Sequence, residues 1–255
     1  MPNDVVLTLD MDGTLVAHGN KIIGGERTIA LLSALQQQGC KIIVNTGRLD
    51  HDIIAIQNQY HIQIDARVSQ NGCVVIDDHS AQARLLNKQE ALMVWQFLKP
   101  LTSVRTEINT ISNRYWKTPR SPSFPKEYYD SHVMVDHFTP VLTYQPVTEF
   151  LCVGQTADLN EVRDYVTSHC QLLDAIMTSP SSLEIFPKGL SKGEVLRQLY
   201  PSSLIYGIGD SENDFSVFAV SEKSFFVGDH QEDRDGVTLV PTIDVALADI
   251  QDEVM

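Results

Sequence analysis

Apolar positions fall in short β-branched runs separated by stretches with helical spacing. Val5-Val6-Leu7-Thr8-Leu9 is almost wholly apolar, the pattern of a strand covered on both faces. Ile29, Leu31, Leu32 and Leu35 then recur at helical spacing over 26–38, and Gly39 suits a left-handed cap at the helix end. The pattern repeats. Lys41-Ile42-Ile43-Val44 predicts a second buried strand, and 50–60 a second helix with Asp50 and Asp52 near its positive end. Residues 67–69 and 74–76 read as extended stretches turned at Asn71-Gly72. Alternating strands and helices imply an α/β fold on a parallel sheet with helical crossovers.

The alternation breaks near Asp77-Asp78-His79-Ser80 and resumes near Ser182-Leu183-Glu184-Ile185-Phe186. The intervening hundred or so residues therefore predict an inserted domain, 80–182, within a core of 1–79 and 183–255. The core continues with a helix over 191–199, a strand over 204–208, a helix over 213–220, a strand over 225–227 and a closing helix over 241–250. No internal repeat is evident, and the proline-rich stretch 118–125 reads as a loop.

Charge narrows the function. The 255 residues carry a formal net charge of −14, which excludes a surface built to track nucleic acid or anionic lipid. An anionic ligand must therefore meet local positive charge or a metal. No apolar run reaches the roughly 18–20 residues that span a bilayer, and the first ten residues lack a basic leader. The expectation is a soluble, cytoplasmic protein, monomeric or weakly dimeric. Cys40, Cys73, Cys152 and Cys170 stand singly, without metal-ligand spacing, and are expected as buried free thiols. The eight histidines are equally dispersed.

Three predicted strand ends carry chemistry. Asp10-Met11-Asp12-Gly13-Thr14 leaves the first strand at its carboxyl end, where open α/β sheets place ligands, and Gly13 permits a tight turn there. The second strand ends in Asn45-Thr46-Gly47-Arg48, a hydroxyl and following amides suited to an oxyanion. The strand 204–208 ends in Gly209-Asp210-Ser211-Glu212-Asn213-Asp214, another acidic cluster. Each has a plain alternative: an acidic turn, an ordinary strand exit, or a capping box from Ser211 to Asp214. Ser191 and Glu194 form a second capping box, with Lys192 in the first helical turn. A lysine is electrostatically misplaced at the positive end of a helix unless it faces an anion or carboxylate.

Taken in order, Asp10 to Thr14, Thr46-Gly47-Arg48, Lys192-Gly193 and Gly209 to Asp214 resemble the four motifs of the haloacid dehalogenase-like hydrolase superfamily. The Asn71-Gly72 turn, the site of the insertion and the Gly-Asp-x-x-Asn-Asp form of the last motif resemble its Cof-type phosphatase branch. The resemblance implies a Rossmann-like three-layer core with a type IIB α/β cap, one magnesium ion, and phosphoryl transfer through an aspartyl-phosphate. It implies Asp10 as nucleophile and Asp12 as general acid and base, with Asp12 also lending a backbone carbonyl to the metal. Thr46 and Lys192 would bind the phosphoryl group, with Gly47, Arg48 and Asn213 also on the substrate side. Asp10, Asp12, Asp210 and Asp214 would form the metal site.

These residues lead to a magnesium-dependent phosphatase acting on a small phosphorylated metabolite, a phosphosugar first of all. A phosphomannomutase-like phosphomutase and a non-catalytic phosphosugar-binding protein are the alternatives. In the insertion, 105–126 holds five basic residues against one acid, with aromatic residues interleaved. Either this is a solvated hairpin whose arginines pair with acids elsewhere and whose aromatic residues fill the insertion's own core, or a ring such as Trp116 and a basic side chain such as Arg120 read the organic part of the substrate.

Overall fold

The computed structural model describes residues 4–119, 132–229 and 235–254. The chain runs through β1 (Val5–Leu9), a hairpin of β2 (Val16–Ala17) and β3 (Lys21–Ile22), α1 (Glu26–Gln37), β4 (Lys41–Asn45), α2 (Asp50–Tyr60), β5 (Ala66–Ser69), β6 (Val74–Asp77) and β7 (Ala81–Ala83). Next come α3 (Lys88–Leu98), β8 (Arg105–Thr110), β9 (Arg114–Trp116), β10 (Val133–Met134), α4 (Thr139–Tyr144), β11 (Val147–Val153), α5 (Thr156–His169), β12 (Leu173–Ser179) and β13 (Ser182–Pro187). The order closes with α6 (Lys192–Leu199), β14 (Leu204–Gly209), α7 (Phe215–Phe218), β15 (Lys223–Val227), β16 (Val237–Val240) and α8 (Ile243–Val254). Two compact units result, one of residues 1–81 with 191–255 and one of residues 82–190.

The first unit is built on an eight-stranded sheet in the order β16-β15-β14-β1-β4-β5-β6-β7. β1 lies between β14 and β4 and is parallel to both, while β6 turns back antiparallel to β5. Leu32 and Leu35 of α1, Ile53 and Ile56 of α2, and Leu247 and Ile250 of α8 share one core with Leu7, Leu9, Ile42, Val44 and Ile208 of the sheet. Each such side chain contributes about 1.5–3 kcal/mol by leaving water. Gly207 faces the opposite side from Ile208, and a Cβ there would come within 2.9 Å of Val217, so α7 lies close on the second face. α6 approaches α7 so nearly that a Cβ on Gly193 would lie 1.8 Å from the carbonyl oxygen of Ser216.

The second unit has a six-stranded sheet in the order β10-β9-β8-β11-β13-β12, antiparallel except where β9 meets β10. Val94, Trp95 and Leu98 of α3 and Leu159, Val162 and Val166 of α5 pack in one core with Ile108, Phe150, Cys152, Leu183 and Ile185. Residues of β8 alternate: Ile108 joins that core, and Glu107 and Asn109 turn to the other face, also fully buried. There Glu107 meets Arg105 at 2.9 Å and Arg114 at 3.6 Å. Arg114 in turn donates to Asn109 at 3.0 Å, and Asn109 to Glu149 at 2.8 Å.

Two expectations from sequence are corrected. The strand at 182–186, expected to reopen the first unit, is β13 and sits between β11 and β12 of the second sheet; the first unit resumes only at Ser191. Its Ser-Leu-Glu-Ile-Phe run is continuously buried, and continuous burial looks the same in a parallel sheet and in an antiparallel strand covered on both faces. The helix expected over 213–220 is shorter, a 3₁₀ turn at Glu212–Asp214 followed by four residues of α7.

All four cysteines are buried as thiols, outside any disulfide. Burial pushes the Cys40 and Cys170 thiols up to about 11 and that of Cys152 up to about 12. At pH 8 a pKa of about 11 leaves roughly one thiol in a thousand as the reactive thiolate, against about a quarter for a free cysteine. Native protein treated with a chromogenic disulfide at pH 8 is therefore expected to label these three at least about a hundredfold more slowly than unfolded protein. Labelling of any of them at the unfolded rate would contradict this burial.

Candidate active site

The register of the first sheet gathers the motifs. Leu9 stands opposite Val44 on one side and Ile208 on the other, so β14, β1 and β4 end flush. Asp10 leaves β1 with its amide still bonded to the Ile208 carbonyl at 2.9 Å. The chain then turns sharply at Gly13, whose φ is +79°. A Cβ there would lie 2.1 Å from an Asp210 carboxylate oxygen, so backbone conformation and crowding both require glycine. The next residue, Thr14, donates its hydroxyl to the same Asp210 carboxylate at 3.3 Å.

Lys192 comes to this point from across the chain. Ser191 caps α6 by accepting the Glu194 amide at 3.1 Å, which sets Lys192 in the first turn with only 2 % of its surface exposed. Its Nζ donates to Asp10 Oδ1 and Asp214 Oδ1, each at 2.7 Å. Asn45, the last residue of β4, donates its side-chain amide to the Lys192 carbonyl at 3.2 Å and so ties the start of α6 to the sheet. Burial alone pulls the ammonium pKa down, but Asp10 and Asp214 more than reverse this and hold it above its ordinary value. Burial pushes the Asp10 carboxyl well above the usual carboxylate range, against the pull of Lys192 and with the help of Asp214 and Asp210. Asp210 is pushed up to about 6 by burial and then by Asp214.

Asp214 has two tasks, and the capping box expected from sequence is one of them. Its Oδ2 accepts the amides of Asp210 and Ser211 at 3.1 and 3.2 Å and the Ser211 hydroxyl at 3.3 Å, while its Oδ1 faces Lys192. Asn213 turns back on the same serine, accepting the hydroxyl at 2.5 Å. Carboxylate oxygens of Asp10, Asp210 and Asp214 lie within 4.8 Å of one another. Three carboxylates sharing one buried ammonium form a hard-oxygen donor set with negative charge to spare, which is what a small divalent cation requires.

At the end of β4, Thr46 is 2 % exposed, its amide bonded to the Val68 carbonyl at 2.9 Å and its Oγ1 accepting the Arg48 amide at 3.3 Å. Gln70 and Asn71 both have left-handed φ, +52° and +54°, and their amides hold the carbonyls of Arg48 and Thr46 at 2.9 and 3.0 Å. Gly47 passes beneath the Asn71 side chain.

Not every expected site residue stands ready for a ligand. The Arg48 side chain is 1 % exposed and directed into the protein, donating from Nε to Asp12 Oδ2 at 2.7 Å, from Nη2 to Asp12 Oδ1, and from Nη1 to Asn20 at 2.7 Å. Trp116 is 8 % exposed, stacked on His132 at 4.0 Å between ring centroids and overlain by Arg105 at 4.9 Å. Arg120 lies outside the described residues. Arg105 and Arg114 pair with Glu107, the stretch's own acid, and Glu107 and Arg114 are buried, where the sequence suggested a solvated hairpin paired with acids elsewhere. Sequence reasoning passed over Thr14, Asn20, Asn45 and Tyr60. Of these only Thr14 had a local signal, its place in the first motif; the others enter through contacts spanning 28 to 147 positions.

Parallel strands of an α/β fold thus end together in a cluster of carboxylates around one lysine, the ground plan of a hydrolase that works on an anionic substrate. The chain belongs to the haloacid dehalogenase-like hydrolase family, whose profile matches residues 7–234. A Haemophilus influenzae protein with a provisional phosphatase name is 27 % identical, covering 86 % of this chain and 84 % of its own length. Phosphatase YwpJ of Bacillus subtilis is 23 % identical, covering 92 % and 94 %. Among solved structures, a haloacid dehalogenase-like hydrolase from Bacteroides thetaiotaomicron superposes with a TM-score of 0.81 at 20 % identity, covering 96 % of this chain and 99 % of its own. The subclass IIB sugar phosphatase BT4131 gives 0.75 at 19 % identity, covering 98 % and 100 %.

Removing the ammonium tests the charge balance. Lys192→Met strands buried carboxylates without a partner, and at pH 7 in metal-free buffer it is expected to lower unfolding free energy by about 3–5 kcal/mol. The deficit should shrink as pH falls below about 6, where Asp210 takes up a proton and the repulsion falls. Urea denaturation of wild type and variant at pH 7 and pH 5 gives both values, and a deficit that grew on acidification would contradict the arrangement.

Proposed function

We propose that this enzyme is a phosphatase that hydrolyses a small phosphorylated metabolite, a phosphosugar foremost, with a divalent cation and through a covalent intermediate on Asp10. The single observation behind this reading is the meeting of Asp10, Asp210, Asp214 and Lys192 at the flush ends of β1 and β14. Asp10 and Asp210 offer oxygens to a magnesium ion, and Asp214, with both oxygens already engaged, chiefly sets the place of Lys192 and of the Asp210 backbone. Bound magnesium supplies charge to offset the phosphoryl oxygens.

In this reading Asp10 attacks phosphorus, and the bond from phosphorus to the leaving oxygen breaks. Lys192 favours the ionised form of Asp10 against the effect of burial and faces the phosphoryl oxygens, and the Thr46 hydroxyl with the Gly47 amide provides further donors. Asp12 is 38 % exposed at its side chain, more open than Asp10, and it delivers a proton to the departing alkoxide. It then takes one from the water that attacks the phospho-aspartate, releasing phosphate and restoring the enzyme. The second unit selects the organic part of the substrate, a task that here does not fall to the buried ring of Trp116.

Phosphate release from a panel of sugar, polyol and nucleotide phosphates, with magnesium and with EDTA, tests the reading. Activity is expected to vanish in EDTA and return with magnesium. Asp10→Asn is expected to lower kcat at least about a hundredfold, about 2.7 kcal/mol, with native circular dichroism. Retention of a tenth of wild-type kcat would remove Asp10 from its role. Isomerisation of a hexose phosphate without phosphate release would move the protein to the phosphomutases.

A further inference from the structure

Arg48 is the arginine that the sequence assigned to substrate, and the structure assigns it elsewhere. Its guanidinium lies side-on to Asp12, with Nε and Nη2 on the two carboxylate oxygens, the two-point geometry that fixes a carboxylate's plane as well as its place. The exposures are unequal: 1 % for the arginine side chain and 38 % for the aspartate. The buried partner is also the anchored one. Its amide and carbonyl are bonded to Thr46 and Gln70, and its Nη1 is bonded to Asn20 at 2.7 Å. Asn20 lies in the turn between β2 and β3 with a left-handed φ of +59°, and its carbonyl accepts the hydroxyl of Tyr60, the last residue of α2, at 2.7 Å. Bonds therefore run in sequence from the end of α2 through the hairpin turn and Arg48 to a carboxylate whose other edge is open to a ligand.

We propose that Arg48 is a positioning residue for Asp12, and that Asn20, held by Tyr60, sets the orientation of Arg48. This rests on the reading of Asp12 as the group that protonates the leaving oxygen, and adds that the β2–β3 turn determines how well it does so. The two partners differ in exposure, 1 % against 38 %. Here the rigid partner is inside and the working edge of the other faces out. An arginine that bound substrate directly would present nitrogens to solvent, and this one does not.

The test uses KM and the rate of leaving-group release in a single turnover, the step before water attacks, for a hexose 6-phosphate, whose alkoxide must be protonated as it leaves, and for p-nitrophenyl phosphate, whose leaving group needs no proton. Arg48→Lys keeps the charge but loses the fork. It is expected to lower that single-turnover rate for the sugar phosphate at least about twentyfold with KM within about twofold, and for the aryl ester by no more than about threefold. Asn20→Gly, which keeps the left-handed turn and removes only the side-chain bond to Arg48, should shift the same ratio in the same direction by about three- to tenfold. In an Asp12→Asn background, Arg48→Lys should add less than about twofold, because both act through one group.

A raised KM with an unchanged single-turnover rate would overturn the proposal in favour of direct substrate binding, and equal losses on both esters in favour of general structural support. Additive losses in the double variant would also overturn it. If Asp12→Asn itself shows no preference between the esters, the acid reading fails and this proposal with it; if it does show one and Arg48→Lys does not, only the proposal fails.

Discussion

The structure of this site depends on the neutralisation of one buried ammonium. Lys192 stands at the end of a helix where a cation is repelled, and in an interior where a charge is costly, so it is stable there only because Asp10 and Asp214 reach it together. Those two carboxylates come from the exits of different strands, and the lysine from a helix 182 positions away from Asp10. Sheet order, register and helix placement must all be right before any of the three is satisfied. Even then carboxylates outnumber ammonium, so the arrangement is balanced only with a cation or with protons. A cation held by these oxygens would relieve that imbalance.

Asp214 shows how little separates a structural residue from a functional one. The sequence left two readings open, a cap or a member of an acidic cluster, and one carboxylate serves both by dividing its oxygens between the backbone of the turn and the lysine. Gly13 and Gly209 belong to the same device. A Cβ at either would strike Asp210 or Asp214 within 2.4 Å, so the acidic cluster owes its tightness to the glycines beside it.

The α/β class, the central strands and the ends that carry the chemistry were legible in the sequence, because each is written within a few consecutive residues: an apolar run, then an acidic or hydroxyl-bearing exit. The limit of the first unit was not, since β13 is as apolar as a parallel strand and only its pairing with β11 and β12 places it in the second sheet. The partner of Arg48 was not legible for a related reason. The arginine after Thr-Gly suggests an anion, and nothing nearby in sequence says that the anion is Asp12, 36 positions earlier. Trp116 and the basic stretch likewise look like a ligand surface until Glu107 and His132 are seen to occupy them. Local chemistry is legible where its partner is the backbone or the nearest turn; where the partner is a distant side chain, sequence records only half of the pair.

The first unit is made from both ends of the described chain, with the whole second unit interposed between its halves. β1 sits in the middle of the sheet, yet its neighbour β14 begins only at Leu204. During synthesis from the amino end, β1 can pair with β4 early but must keep its other edge open while more than a hundred further residues emerge. An apolar parallel strand with a bare edge is a template for wrong pairing, so the vulnerable species in biogenesis is a half-sheet waiting for its other half. The second unit, continuous in sequence and antiparallel in most of its pairings, carries no such delay.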